Sequence, residues 1–273
     1  MAELPFRLIY DNPQQGLDGA TNMARDEAIS LTVGRGEQLP TLRLYGWSPP
    51  AISLGQSQRL SSVNLERCGA DGVDIVRRTT GGLAILHTDE LTYSICLPKD
   101  HPLAEGDVMS SYKRIAQAII YALTALGVKG AGAYPVAKED KAKGPVCFEA
   151  PSDYEVVGEM QGCVKKLVGS AQQRRVDAVL QHGSLPLYGD IGRICAYLNG
   201  APSPDEVRSH AGTLAEAVGY AVDWQMAAEV WAKTFADTLS ISYSTSGLSS
   251  VEHVLSRELR ESKYANDVWT QRR

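Results

Sequence analysis

The sequence predicts an α+β domain in which helices cover a β-sheet. Two groups of short apolar runs, from Thr41 to Pro98 and from Asp153 to Tyr188, carry the signature of strands bounded by turn-formers. Between and after them the period lengthens to that of helices. No composition shift or Pro/Gly-rich linker divides the 273 residues, so residues 1–273 are expected to form one domain, with a helical C-terminal portion from about 203 to 273.

The first helix is expected over Thr21 to Leu31, where Met23, Ala24, Glu27 and Ala28 recur at helical spacings. TLRLYGW then alternates as a strand does, and AISLGQ, VDIVRR, LAILH and LTYSICLP add four more short runs. Ser110 to Leu126 returns to helical spacing through Tyr112, Ile115, Ile119, Leu123 and Leu126, and Gly127 supplies a C′ residue without a Cβ. The charged segment from Val136 to Gly144 has almost no large apolar residue and is expected to be a mobile loop. DYEVV and CVKKLVGSA flank GEMQG as a hairpin, and AVLQHGSLPLY adds another strand.

Three helices are expected to follow. Ser203 caps the first, with Pro204 at N1 and Glu206 at N3. Asp223 begins the second. Ser249 caps the last, with Glu252 at N3 and an apolar stripe of Val251, Val254, Leu255 and Leu259. Burying such stripes stabilises by about 25 cal/mol per Å² of apolar area, which makes intrinsic propensity secondary.

The net charge of −5, with no Lys/Arg stripe and no aromatic–basic interleaving, argues against a nucleic-acid partner. The N-terminal MAELPFRLIY lacks a signal-peptide core, and the apolar stretches are too short to span a bilayer. Five cysteines, at 68, 96, 147, 163 and 195, form no CxxC pair; their odd number and irregular spacing fit a reducing cytoplasm and leave thiols for chemistry.

Three segments could carry that chemistry. In RRTTGGLAILH, from Arg77 to His87, Gly81 and Gly82 permit a tight turn and close approach of a ligand to the backbone, with Thr80 beside them. Neither a Walker loop nor a dinucleotide fingerprint is present, and a plain turn between two solvated arginines has roughly even weight. Arg77 and Arg78 point oppositely on a strand, so at most one reaches a given pocket and the other braces the loop or faces solvent. Cys147 follows Lys143-Gly144-Pro145-Val146, a place that can expose a thiol, whereas Cys68, Cys96, Cys163 and Cys195 sit in apolar or small-residue patterns expected to bury them. A free thiol of pKa ~8.5 is only a few per cent thiolate at neutral pH, and a neighbouring lysine would raise that fraction.

Lys165 and Lys166 are adjacent on a strand and face opposite ways, one of them into solvent. Gly169, Ser170 and Ala171 after them leave room for a substrate chain, and one lysine could stabilise a carbonyl oxygen as it gains charge. His87 and His182 suit positioning or proton transfer, or a satisfied structural role. No histidine belongs to a metal-ligand array, so no metal is expected.

Across nearly its whole length the chain resembles the biotin/lipoate protein ligase and acyltransferase family. The match runs through NMARDEA at 22–28, LRLYGWSPPAISLGQ at 42–56, RRTTGGLAILH at 77–87 and ELTYSICLP at 90–98. It continues through CFEAPSDYEV at 147–156, KLVGSAQ at 166–172, LQHGSL at 180–185 and KYANDVWTQRR at 263–273. The similarity is strongest to the cysteine-dependent octanoyltransferase branch. It implies a central, mostly antiparallel sheet flanked by helices, Cys147 as acyl acceptor and Lys166 as the active-site lysine.

It also implies octanoyl-acyl carrier protein as donor. The acceptor would be a lysine of apo glycine-cleavage H protein or of an E2 lipoyl domain of a 2-oxoacid dehydrogenase, and no cofactor is required. Leu83 stands where the family has Arg or Gly after the glycine pair. Three alternatives stay open at this level: an ATP-dependent lipoate–protein ligase, an amidotransferase between carrier proteins, and a lipoyl-domain binding protein without activity.

Overall fold

A computed structural model of the chain describes residues 3–134, 146 and 155–273. The predicted loop over 136–144 and Cys147 therefore lie outside the described residues. The first strand, β1 (Leu4–Asp11), leads to α1 (Gly19–Gly34), β2 (Thr41–Tyr45) and β3 (Ala51–Leu54). Then come α2 (Leu65–Asp71), β4 (Asp74–Arg77), β5 (Ile85–His87), β6 (Glu90–Pro98) and α3 (Val108–Ala125). After β7 (Gly132–Tyr134) follow β8 (Glu155–Met160), β9 (Cys163–Arg174), β10 (Ala178–Pro186), α4 (Pro204–His210) and α5 (Leu214–Val218). The last elements are α6 (Trp224–Leu239), β11 (Ile241–Thr245), α7 (Ser250–Leu259) and α8 (Asp267–Thr270).

Among the described residues, eight strands form one sheet in the order β11-β1-β2-β6-β10-β9-β8-β7. β11, β1 and β2 run parallel, and every pairing from β2 to β7 is antiparallel. A second sheet, β4-β3-β5, packs with its own core of Ile52, Leu54, Cys68, Ile194 and Val207. No described helix is long and apolar enough to cross a membrane.

The period of two explains how the large sheet is used. Leu42, Leu44, Leu91, Tyr93, Ile95 and Leu97 point to one face, where Ile115 and Ile119 of α3 and Trp231 and Phe235 of α6 close a continuous core. The alternate positions on the same strands are Arg43, Tyr45, Glu90, Thr92 and Ser94, with His182 and Ser184 on β10, and all are buried too. Such alternation ordinarily marks a face left in water. Here α1 and the small sheet cover it, so a polar interior lies between the two sheets.

Local capping places the helices as expected. Ser203, Asp223 and Ser249 each accept a hydrogen bond from the third residue of their helix, and Ser249 with Glu252 completes a capping box. The first helix is longer than its apolar period predicts. Asp18 caps it, and Gly19 lets it approach Val76, Ala51 and Trp47 to within contact distance of where a Cβ would stand. In the β8–β9 hairpin the turn is Gln161-Gly162, both with positive φ, at 52° and 79°.

The predicted stripe of α7 holds at Leu255 and Leu259, which are half-buried, and fails at the two valines. Val251 and Val254 are exposed, whereas Glu252 and Ser256 are buried. Glu252 accepts from both terminal nitrogens of Arg7, at 2.7 and 2.5 Å, and from the Thr32 hydroxyl at 2.8 Å. Arg7 is buried on β1, far away in sequence, and a buried guanidinium left without its carboxylate is strongly destabilising, so Glu252 faces it.

Burial opposes ionisation of Glu252, but Arg7, the Ser249 backbone and Thr32 hold its carboxyl below the ordinary value. A depressed carboxylate contributes stability above its unfolded pKa of ~4.3, and that contribution is lost as pH falls through the lower folded value. Melting temperature should therefore drop on acidification below about pH 4. Glu252→Gln should lower the melting temperature at pH 7 and flatten the acid dependence; an unchanged slope would separate the pair from acid stability.

Candidate active site

The polar interior opens as a small cavity lined by residues from both sheets and from α1. Gly82, Gly169, Ala171 and Gly183 make the room, and Met23, Trp47 and Ile85 make it apolar. Ser53, Arg78, His87, Thr92, His182 and Ser184 add polar groups. This combination suits an aliphatic chain carrying one reactive polar end.

The small sheet shapes one side. After β4 the chain turns back over β3, with Arg78 N donating to Leu54 O at 3.0 Å and Gln56 N to Thr80 O at 2.8 Å. The contact is so close that a Cβ on Gly55 would stand 1.9 Å from Gly82 O. Of the glycine pair, only Gly82 is conformationally required: its φ is 92°, while Gly81 has open space around it.

Neither arginine is solvated, which removes the plain-turn reading. Arg78 donates to Ser53 O, Gly81 O and Leu83 O, each at 2.8 Å, and so draws the loop around its guanidinium at the cavity wall. Arg77 lies outside the lining and binds Gly55 O at 2.9 Å, Gln58 O at 2.5 Å and Thr270 O at 2.7 Å. Its own carbonyl accepts from Trp269 Nε1 at 2.8 Å, with the Arg272 guanidinium 3.6 Å above that indole. Arg77 thus ties the C-terminal residues to the two loops that frame the cavity.

Two histidines sit in hydrogen-bonded chains. Ser53 Oγ accepts from Arg78 Nη1 at 3.1 Å and lies 2.7 Å from His87 Nε2, while His87 Nδ1 lies 2.7 Å from Glu90. Ser184 donates to the other Glu90 oxygen at 2.6 Å, Thr92 also donates to Glu90, and Trp47 stacks on His87 at 3.9 Å. Burial opposes charge on Glu90, yet His87 and these hydroxyls hold its carboxyl below the ordinary value.

On the other chain Thr80 Oγ1 lies 2.6 Å from His182 Nε2, and His182 Nδ1 faces Asp26 at 3.5 Å. Asp26 also accepts from Arg43 at 2.7 Å, Ser94 at 2.8 Å and Tyr45 at 2.9 Å. Burial pushes the His182 pKa down despite Asp26, which leaves the ring neutral near pH 7.

Lys166 reaches this side through a β-bulge. Val156 pairs with Val168 while Val157 pairs with Lys166, so one step on β8 spans two on β9. Leu167 and Val168 both enter the core under α3, which leaves Lys166 on the face that carries Gly169 and Ala171. In an unbroken strand, residues three apart would face opposite ways. The Lys166 side chain is 3% exposed, outside the lining itself, and its Nζ lies 2.7 Å from Glu155. Lys165 instead donates to Arg208 O at 2.6 Å.

The structure therefore brings Arg78, Gly82, His87, Gly169, Ser170, Ala171 and His182 together, with Thr80 and Gly81 directly behind. Val146, one peptide bond before Cys147, is buried and bridged to Ala84. Cys68 and Cys96 are buried, and burial raises both thiol pKa values; Cys163 is exposed at the hairpin, against expectation, and Cys195 is half-buried.

Glu155, Glu90 and Asp26 escaped sequence reasoning. A signal was present for Glu90, the one acid of the otherwise apolar and small-residue strand β6.

Comparison with known proteins agrees with this architecture. Octanoyltransferase LipM of Moorella thermoacetica is 40% identical, over 94% of this chain and 95% of that protein. The Brevibacillus brevis protein of the same name is 35% identical, over 95% of this chain and 97% of its own length. A solved bi-partite lipoate protein ligase of Thermoplasma acidophilum superimposes with a TM-score of 0.80 at 23% identity, covering 98% and 96% of the two chains. That last likeness concerns the fold. The family model of the lipoyl protein ligase A/B catalytic domain matches residues 18–236, from the cap of α1 into α6 and so across the whole cavity. By fold and by sequence, the chain belongs to the lipoyl protein ligase A/B catalytic-domain family.

Proposed function

We propose that the chain is an octanoyl-[acyl carrier protein]:protein N-octanoyltransferase of lipoate biosynthesis, working through a thioester on Cys147. Its end-to-end similarity to octanoyltransferases, above nine-tenths of both chains, carries the reading. The geometry supports it. The cavity offers apolar walls on which an acyl tail gains about 0.8 kcal/mol per buried CH₂. Lys166 stands on the cavity side of β9, and the peptide leading into Cys147 is anchored beside Ala84.

In the proposed reaction the Cys147 thiolate attacks the carbonyl carbon of the octanoyl thioester. A C–S bond forms as the carbonyl π pair moves onto oxygen, where the Lys166 ammonium donates a hydrogen bond. Collapse expels the carrier thiolate, which takes up a proton from solvent, and leaves octanoyl-S-Cys147. The acceptor lysine then docks as a neutral amine and attacks the new thioester. The Cys147 thiolate leaves, the amine nitrogen loses its proton, and an amide remains.

Thioester exchange is nearly balanced; amide formation drives the sequence, so no ATP is consumed. The acceptor is a lysine of glycine-cleavage H protein or of an E2 lipoyl domain, and the compartment is the cytoplasm. The test mixes the protein with octanoyl-acyl carrier protein and apo glycine-cleavage H protein without ATP. Acylation of the acceptor lysine supports the reading. Acylation that appears only with free octanoate or lipoate plus ATP would replace it with a ligase.

A further inference from the structure

Lysine side chains normally carry their charge out to water along a flexible stem. Lys166 does not: its side chain is 3% exposed, and its ammonium meets the Glu155 carboxylate at 2.7 Å. Glu155 opens β8, and the bulge opposite Val156 and Val157 turns Lys166 to the face of Gly169 and Ala171. Bulges at such places re-aim a side chain at the expense of regular pairing. A buried ion pair adds little stability over apolar residues of the same volume, so stability alone does not account for it.

We propose that Glu155 is a positioning residue for acyl transfer, fixing Lys166 as a charged hydrogen-bond donor aimed along the cavity side of β9. The proposal rests on the acyl-transfer reading above and deepens it. An ammonium has three N–H donors, so a carboxylate on one does not exhaust it. Lys166 then keeps its proton throughout. It donates to the carbonyl oxygen while the C–S bond forms and the π pair sits on oxygen, and that donation weakens when the pair returns and the carrier sulfur departs. In this role the lysine is not the base that activates the thiol or the amine. Glu155 acts only through Lys166, by fixing where its charge stands.

The experiment measures single-turnover acylation of the full chain by octanoyl-acyl carrier protein, using rapid quench and intact mass. The proteins are wild type, Glu155→Gln, Glu155→Asp, Lys166→Met and the Glu155→Gln/Lys166→Met double variant, with slow variants followed over hours. Glu155→Gln should slow acylation about tenfold or more at saturating donor, with donor KM changed by less than about threefold. Glu155→Asp, which keeps the charge, should recover a large part of the rate.

In the Lys166→Met background the Glu155→Gln change should cost less than about twofold, because the group it positions is gone. A full-rate Glu155→Gln enzyme, or losses that multiply in the double variant, would overturn the proposal. Should Glu155→Gln fail to fold by its melting curve, Glu155→Asp carries the test: a rate no better than that of Lys166→Met would overturn it equally. Absence of any wild-type adduct would instead remove the acyl-transfer reading itself, so the two failures are distinguishable.

Discussion

Lys166→Ala is expected to lower octanoyl transfer by roughly 10²- to 10³-fold, the usual loss when one donor to a developing oxyanion is removed. The loss should appear in kcat and in kcat/KM alike, because the ammonium is needed as the carbonyl oxygen gains charge rather than when the tail binds. Lys166→Arg should not restore the rate. A planar guanidinium cannot occupy the place of a compact ammonium at a bulge whose neighbours are Leu167 and Val168 of the core. Removing the ammonium also takes the Lys166 counter-charge from Glu155, 15% exposed, so some stability is lost as well. Steady-state rates at temperatures well below the measured melting point separate the two effects. Wild-type kcat in a folded Lys166→Ala protein would rule out the assigned role.

The second large effect concerns folding. Arg43 is fully buried and donates to Asp11 at 2.7 Å, Asp26 at 2.7 Å and Asn22 at 2.6 Å. Burial disfavours charge on both acids, but the guanidinium holds their carboxyls below the ordinary value. Arg43→Met leaves those carboxylates in the interior without their main counter-charge, at a cost of about 3–5 kcal/mol. Denaturant titration should show the midpoint falling accordingly. Asp26 also orients Tyr45 and faces His182, both on the cavity wall, so any folded Arg43→Met protein should transfer octanoyl slowly. A change below about 1 kcal/mol would mean that the network contributes little to stability.

What was legible in the sequence was local. Ser203, Asp223 and Ser249 announce their helices because a cap and its partner lie three residues apart. The alternating strands of the large sheet are legible for the same reason, since period two is written in consecutive residues. The misreadings are long-range. Glu252 turns the first turn of α7 inward through an arginine 245 residues away. Nothing in Val251 or Val254 records that partner.

The solvated reading of Arg77 and Arg78 fails similarly, since their acceptors are backbone carbonyls contributed by other loops, and a carbonyl leaves no mark in a sequence. β1 and β11 are not legible because strands paired in parallel across more than 230 residues of sequence announce their pairing only in three dimensions. The candidate site was partly visible: the small residues after Lys166 and the two histidines do border one cavity. The bulge that aims Lys166 was not, because its cause is a register shift between two strands.

Whether acyl transfer passes through Cys147 is decided by intact-protein mass spectrometry after mixing the purified chain with octanoyl-acyl carrier protein in buffer free of ATP. The expected result is one octanoyl group per chain, mapped to Cys147, absent from Cys147→Ala and discharged on adding apo glycine-cleavage H protein. A wild-type chain that remains unmodified while the acceptor becomes octanoylated, or an octanoyl group mapped to the exposed Cys163, would contradict it.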